Sequence, residues 1–232
     1  GRPLEISLVP KRDQASGSYR LGIWVRDSTA GVGTLSFYDP ATGAYGALGH
    51  AITDADTGQP LTVRRGQVLH ADVVDVQKGK KGAPGELKGS FLRENNALGD
   101  IQKNTAYGIY GKLDKAPENA LYPQGLPIGL MGTVRTGPAI ILSSVDGEGM
   151  KEYQVEITQL NRQNSPAPKS MVIKVVDPVL LEKTGGIVQG MSGSPILQNG
   201  HIVGAVTHVY VNDPTQGYGL YIEWMLKQTE GL

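Results

Sequence analysis

Cysteine is absent from all 232 residues. Its absence removes disulfides, thiolate metal sites and a cysteine nucleophile together, but leaves the compartment open, because exported bacterial proteins often lack cysteine too. Net charge is also absent: Lys plus Arg total 22 and Asp plus Glu total 22. No bulk field therefore draws the chain to nucleic acid, an anionic membrane or an acidic substrate. No apolar run approaches the roughly 18 residues of a membrane span. No histidine pair has the HExxH spacing of a zinc site, so neither a metal nor a cofactor is expected. The opening GRPLEISLVP is neither a signal peptide nor an initiator-methionine start, and it reads as a processed or truncated form of something longer.

What is abundant is glycine, 32 residues, about twice the usual share of ~7%. With 14 prolines, these glycines punctuate short apolar stretches, the pattern of an all-β sandwich or barrel. Strands are expected over 3–9, 19–25, 32–39, 68–76, 105–111, 139–145, 151–160, 171–176, 194–198, 201–209 and 219–224. Turn signals fall at Asp39-Pro40, Thr57-Gly58, Asp146-Gly147 and Asn199-Gly200, the last being the strongest hairpin signal in the chain. Two helices are expected. The first spans 177–183, with Asp177 as N-cap, Pro178 at the first helical position and Gly185-Gly186 to stop it. The second is terminal, over 222–230. The basic segment from Lys78 to Gly85 lacks the spacing of a phosphate-binding loop and reads as a solvated loop.

The string GMSGSP (190–195) directly before the Asn199-Gly200 hairpin has two readings. It is either a plain turn or a device that projects the Ser192 hydroxyl while nearby backbone N–H groups converge on an oxyanion. Glycines at 190 and 193 permit the second. Ser194 begins the next strand, and its hydroxyl is expected to face away from any base. Only four histidines are available. His50 ends the glycine-rich approach GAYGALGH (43–50) and has the access that a general base needs. His70 lies in an alternating stretch and reads as a half-buried structural imidazole. His201 and His208 are too close in sequence to the serine turn to face it easily.

GALGHAITDADTG together with GIVQGMSGSPILQNGHIVGAVTHVYVNDPTQGYGLYIEWML resembles the SpoIVB peptidase family of spore-forming bacteria, and more broadly the chymotrypsin-like serine peptidases. The resemblance covers essentially the whole chain. It implies two packed antiparallel β-barrels with a boundary near 115–135, and a serine endopeptidase with Ser192 as nucleophile, His50 as base and Asp177 as acid. The wider chymotrypsin-like pattern puts the oxyanion donors on the N–H groups of Gly190 and Ser192. It also usually places the acid midway between base and nucleophile, which points to Asp100 or Asp114 instead, and Asp177 by itself reads as a helix cap. The family further implies export from the forespore into the space between its membranes. Its substrates there would be regulators of the membrane complex that activates a mother-cell sigma factor. A membrane anchor and a PDZ domain, upstream in that family, are absent from this sequence, so membrane contact is expected only through them. Two other readings stay open: a catalytically silent regulatory β module that binds protein segments by strand addition, and a structural β domain with no ligand.

Overall fold

The computed structural model describes residues 5–21, 29–63, 65–91 and 97–232. It divides into two compact units, 1–31 and 32–232. In the first, β1 (Lys11–Arg12) and β2 (Tyr19–Arg20) form a short antiparallel hairpin. Asp13 holds its turn by accepting from the backbone N–H groups of Ala15 and Ser16. The strand expected over 3–9 is not formed at residues 5–9, which are exposed and unpaired. Of the one expected over 19–25 only β2 is seen, because residues 22–28 lie outside the described residues.

The second unit is built on β11 (Gly137–Ser143), β12 (Lys151–Leu160), β13 (Met171–Val175), β14 (Pro195–Gln198), β15 (His201–Val209) and β16 (Gln216–Tyr221). They close an antiparallel barrel in the order β11-β12-β13-β16-β15-β14. Alternation sets its inner face: Tyr153, Val155 and Ile157 point inward from β12, while Glu152, Gln154 and Glu156 stay exposed. Glycine makes room where the wall is tight. A Cβ at Gly219 would stand 2.6 Å from Ile196 Cδ1 and 2.9 Å from Met171 Cγ. The β14–β15 turn is Asn199-Gly200, with φ of 51° and 75°, the doubly left-handed geometry that this dipeptide favours.

The N-terminal half of this unit is also β. A four-stranded sheet runs β3 (Leu35–Tyr38), β4 (Ala44–Ala47), β10 (Gly108–Lys112), β9 (Lys103–Thr105). Beside it stand two separate pairs, β5 (Gln67–Leu69) with β8 (Ala97–Asp100), and β6 (Ala71–Gln77) with β7 (Glu86–Phe91). The all-β class therefore holds, but of the two barrels expected, one is closed and the other stays open among the described residues. Tyr45 and Tyr110 are fully buried in this half, and Tyr45 donates to the Asp100 carbonyl at 2.8 Å.

Helix α1 (Pro178–Thr184) precedes the serine turn and ends in Gly185 at φ 74°. Helix α2 (Ile222–Leu226) follows the last strand and tightens into a 3₁₀ turn over Lys227–Thr229. Among the described residues no helix is long and apolar enough to cross a membrane. The Lys78–Gly85 segment is more fixed than a solvated loop. Gly79 N–H donates to Thr184 at 2.8 Å and Gly82 N–H to Val211 at 2.8 Å, which leaves the lysines outside.

Asp146, between β11 and β12, receives Lys151 Nζ at 2.7 Å and also Lys183 Nζ from the end of α1. Desolvation works to raise its carboxyl, but the two ammonium groups and the Glu148 N–H outweigh it and hold the group well below the usual carboxylate range. The folded value being the lower one, this stabilisation is present above about pH 4 and is lost as pH falls below it. Asp146→Asn should lower stability by about 1–3 kcal/mol and flatten the acid limb. Denaturant melts at pH 3 and 7 check both.

Candidate active site

The serine turn is docked on the start of β15. Gly193 N–H donates to Val206 at 2.7 Å, and Val206 N–H returns a bond to Ser194 at 2.9 Å. Gly190 and Gly193 take φ of 97° and 95°, which L side chains rarely adopt. A Cβ on Gly193 would also stand 2.0 Å from the Thr34 carbonyl oxygen. The Ser192 hydroxyl is half-buried and donates to the Thr207 carbonyl at 2.9 Å. Thr207 is the extra residue of a β-bulge: Val206 pairs with Gly219 and His208 with Tyr218, with Thr207 between them unpaired. Bulges of this kind free a backbone group from the ladder and re-aim its neighbours. Among the described residues the N–H groups of Gly190 and Ser192 have no acceptor, so the turn keeps two donors unspent. Ser194, by contrast, is completely buried, and its hydroxyl has no hydrogen-bond partner among the described residues.

His50 reaches the same place from the other half. It follows two left-handed residues, Leu48 (φ 69°) and Gly49 (φ 70°). Gly49 lies against β15 so closely that a Cβ there would be 2.8 Å from Thr207 Cγ2. His50 Nδ1 lies 2.9 Å from the Ala51 carbonyl. A proton on Nδ1 satisfies that contact and leaves Nε2 with its lone pair, the form a base requires. The loop behind the ring is clamped by Asn104 of β9, whose amide accepts from Ile52 N–H at 2.8 Å and donates to the Ile52 and Leu61 carbonyls at 2.8 and 2.9 Å. Between the two halves runs Thr34: its N–H donates to the Ser192 carbonyl at 2.8 Å, and its own carbonyl accepts from Leu48 N–H at 3.2 Å.

Asp177 does what a cap does. One carboxylate oxygen accepts from Val179 and Leu180 N–H at 2.9 and 3.0 Å, and the other from Gln154 N–H at 3.1 Å. No hydrogen bond joins it to His50 among the described residues. Asp100, the midway alternative, accepts from Lys112 N–H at 2.9 Å and from the Gln102 amide, and Asp114 is exposed. His201 is exposed beside the Asn199 carbonyl. His70 corrects its expectation: it sits exposed between β5 and β6, 3.4 Å from Asp72.

His208 is the larger correction. Its ring centroid lies 5.0 Å from that of His50. The two-residue turn pairs Gln198 with His201, and past a bulge Pro195 pairs with Ala205, so the hairpin itself brings the end of β15 back toward the serine turn. Asn104 and Thr34 carry no comparable mark in the sequence.

The His208 imidazole is held below its ordinary value, first by desolvation and then by charge on His50 and Lys169. The residue is exposed overall, so solvent screens the effect and the energy involved is modest. Because the folded value is the lower one, this stabilisation is full above about pH 6.5 and is lost as pH falls toward 4. The melting temperature of the parent chain should fall more steeply between pH 6.5 and 4.5 than that of His208→Gln. Parallel curves would show that the fold does not resist charging this ring.

A family model described as SpoIVB peptidase S55 matches residues 17–226. No curated protein matches the sequence. Among solved structures, the inactive form of Rv3671c from M. tuberculosis aligns at TM-score 0.42 and 15% identity, over 61% of this chain and 71% of that one. AlgW, an HtrA-type protease with a decapeptide, aligns at 0.41 and 13%, over 85% and 61%. Human heparin binding protein aligns at 0.40 and 15%, over 61% and 70%. The family match runs from the first hairpin through α2, and on it the chain belongs to the SpoIVB peptidase family of serine endopeptidases.

Proposed function

We propose that Ser192 is the nucleophile and His50 the base of this endopeptidase. The observation that carries the reading is the meeting of both residues at the Thr207–His208 segment of β15, next to two backbone donors that have no acceptor among the described residues. In the proposed cycle the Ser192 hydroxyl turns from the Thr207 carbonyl to His50 Nε2, gives up its proton and attacks a peptide carbonyl. The N–H groups of Gly190 and Ser192 hold the oxyanion, the amine leaves with the proton from His50, and water hydrolyses the acyl-enzyme. Asp177 is proposed as the acid on the family pattern, in addition to its work as a cap, since a carboxylate offers about four lone-pair sites. The family pattern also supports action in sporulation signalling, between the forespore membranes, on regulators of the complex that activates a mother-cell sigma factor. Contact with the membrane would run through an upstream segment.

The regulatory-module reading draws on one observation, that the Ser192 hydroxyl is bonded to a carbonyl rather than to an imidazole. A fluorophosphonate probe separates the two, because only an activated serine labels rapidly. Rapid labelling of the parent chain in EDTA, abolished in Ser192→Ala but kept in Ser194→Ala, is expected. Slow labelling equal in all three proteins would favour the module.

The two roles of Asp177 predict different things. An acid that orients the imidazole should lose about 10⁴ in turnover on Asp177→Asn, as in the well-studied protease triad. A cap alone should tolerate asparagine with little loss. Turnover measured beside melting temperature, with Asp100→Asn and Asp114→Asn as controls, distinguishes them: collapse in a control with near-normal Asp177→Asn moves the acid.

A further inference from the structure

Beyond His208 the surface continues as a row of aromatic and cationic groups. Tyr218 is the cross-strand partner of His208, and such partners lie side by side on one face of a sheet. Tyr210 stacks on Tyr218 with ring centroids 4.4 Å apart. Lys169 places its ammonium over the same Tyr218 ring, 4.4 Å from the centroid. That lysine is held in position from behind. Its carbonyl accepts from the Asn161 amide at 2.9 Å and the Gln163 amide at 3.2 Å, and Gln163 in turn accepts from Trp224 Nε1 at 2.9 Å and Ser170 Oγ at 3.0 Å. Among the described residues no carboxylate lies within ion-pair distance of Lys169. Asp213, the acidic residue of the β15–β16 connection, is taken up by Thr215 and Gln216.

A fixed, unpaired ammonium on an aromatic platform beside two imidazoles is a local anion-receptive surface in a chain with no net charge. We propose that Lys169, Tyr218 and His208 form a specificity subsite for an acidic side chain of the peptide substrate, one lying within about four residues of the scissile bond at ~3.3 Å per extended residue. The inference rests on the reading of Ser192 as nucleophile, because that reading is what brings a peptide to this strand. The Tyr218 ring fixes the direction of the ammonium. Carboxylate binding there is a partly exposed charge pair, so it discriminates among substrates and weakens with salt.

The test uses Ser192→Ala, which removes the proposed nucleophile and keeps the surface. The protein captures peptides from a random synthetic heptapeptide library at low ionic strength, and the captured peptides are sequenced. Asp and Glu should be enriched at one position. In Lys169→Glu/Ser192→Ala, acid-bearing peptides should bind roughly tenfold more weakly and Lys or Arg should take their place, with Lys169→Gln between the two. The Lys169 side chain is exposed and its loop is held through its carbonyl, so unchanged melting temperatures are expected of these variants. Capture without acidic enrichment, no capture, or the same enrichment after charge reversal overturns the subsite. Fluorophosphonate labelling of the parent chain reads the nucleophile separately. A chain that labels rapidly but shows no acidic preference loses the subsite alone, and one that does not label loses the reading beneath it.

Discussion

One residue sets the distance between the two halves of the site. Thr34 gives its N–H to Ser192 and its carbonyl to Leu48, and its hydroxyl donates to the Gly190 carbonyl at 3.2 Å. The serine turn and the histidine loop are thereby strung on a single residue, although 142 residues separate Ser192 from His50 in the sequence. Gly193 makes this possible, because any side chain there would displace Thr34. Backbone bonds between neighbouring segments tolerate little sliding, so the imidazole and the hydroxyl keep their register although no hydrogen bond joins them among the described residues.

The closed barrel supplies the rigid floor for this arrangement, and α1 supplies its approach. The helix is pinned at one end by Asp177 on β12 and at the other by Lys183 on Asp146. Its terminal glycines leave no room for side chains: a Cβ on Gly185 would meet the Gly79 carbonyl at 2.5 Å, and one on Gly186 the Pro214 carbonyl at 2.1 Å. The chain then has only Ile187 to Gln189 before the serine turn, and Leu87 N–H holds Gln189 at 2.8 Å. Ile187 and Gln189 are thus each fixed by a neighbour from a different part of the chain, Ile187 N–H on the Pro214 carbonyl and Gln189 N–H on the Gly85 carbonyl, both at 2.8 Å. This is the kind of pre-organisation that positions donors before a substrate arrives.

How much of this the sequence discloses depends on how local the cause is. The β12 alternation, the Asn199-Gly200 hairpin and the Asp177-Pro178 cap are short-range effects, and each is found where the residues predict it. Strands β4, β7 and β8 escape such reading because they carry glycine where a neighbour presses in. A Cβ on Gly46 would meet Phe37 Cε1 at 2.4 Å, and one on Gly99 the Lys112 carbonyl at 2.1 Å, so the residue that permits the packing also erases the apolar pattern. The closure of the C-terminal barrel is complete, whereas strand count alone does not say how the N-terminal strands join, and among the described residues they form one four-stranded sheet and two pairs. In the site, Ser192 and His50 stand out because glycines surround them. His208 is close to the serine in sequence, yet the β14–β15 hairpin brings its strand back alongside, where the neighbouring Thr207 carbonyl accepts from the Ser192 hydroxyl. Asn104 and Thr34 matter through bonds to distant segments, the longest spanning 52 and 158 residues, and nothing nearby in the chain announces them.

The bulge at Thr207 gives the Ser192 hydroxyl a carbonyl on which to rest. Leaving it takes a rotation about the Cα–Cβ bond and gives up one hydrogen bond, worth about 1 kcal/mol net. Side-chain rotations of this sort in accessible positions occur in picoseconds to nanoseconds, far faster than any loop or domain rearrangement. On the proposed mechanism, the step between resting and poised serine is therefore never rate-limiting. Control over turnover falls instead on whatever brings a peptide to β15.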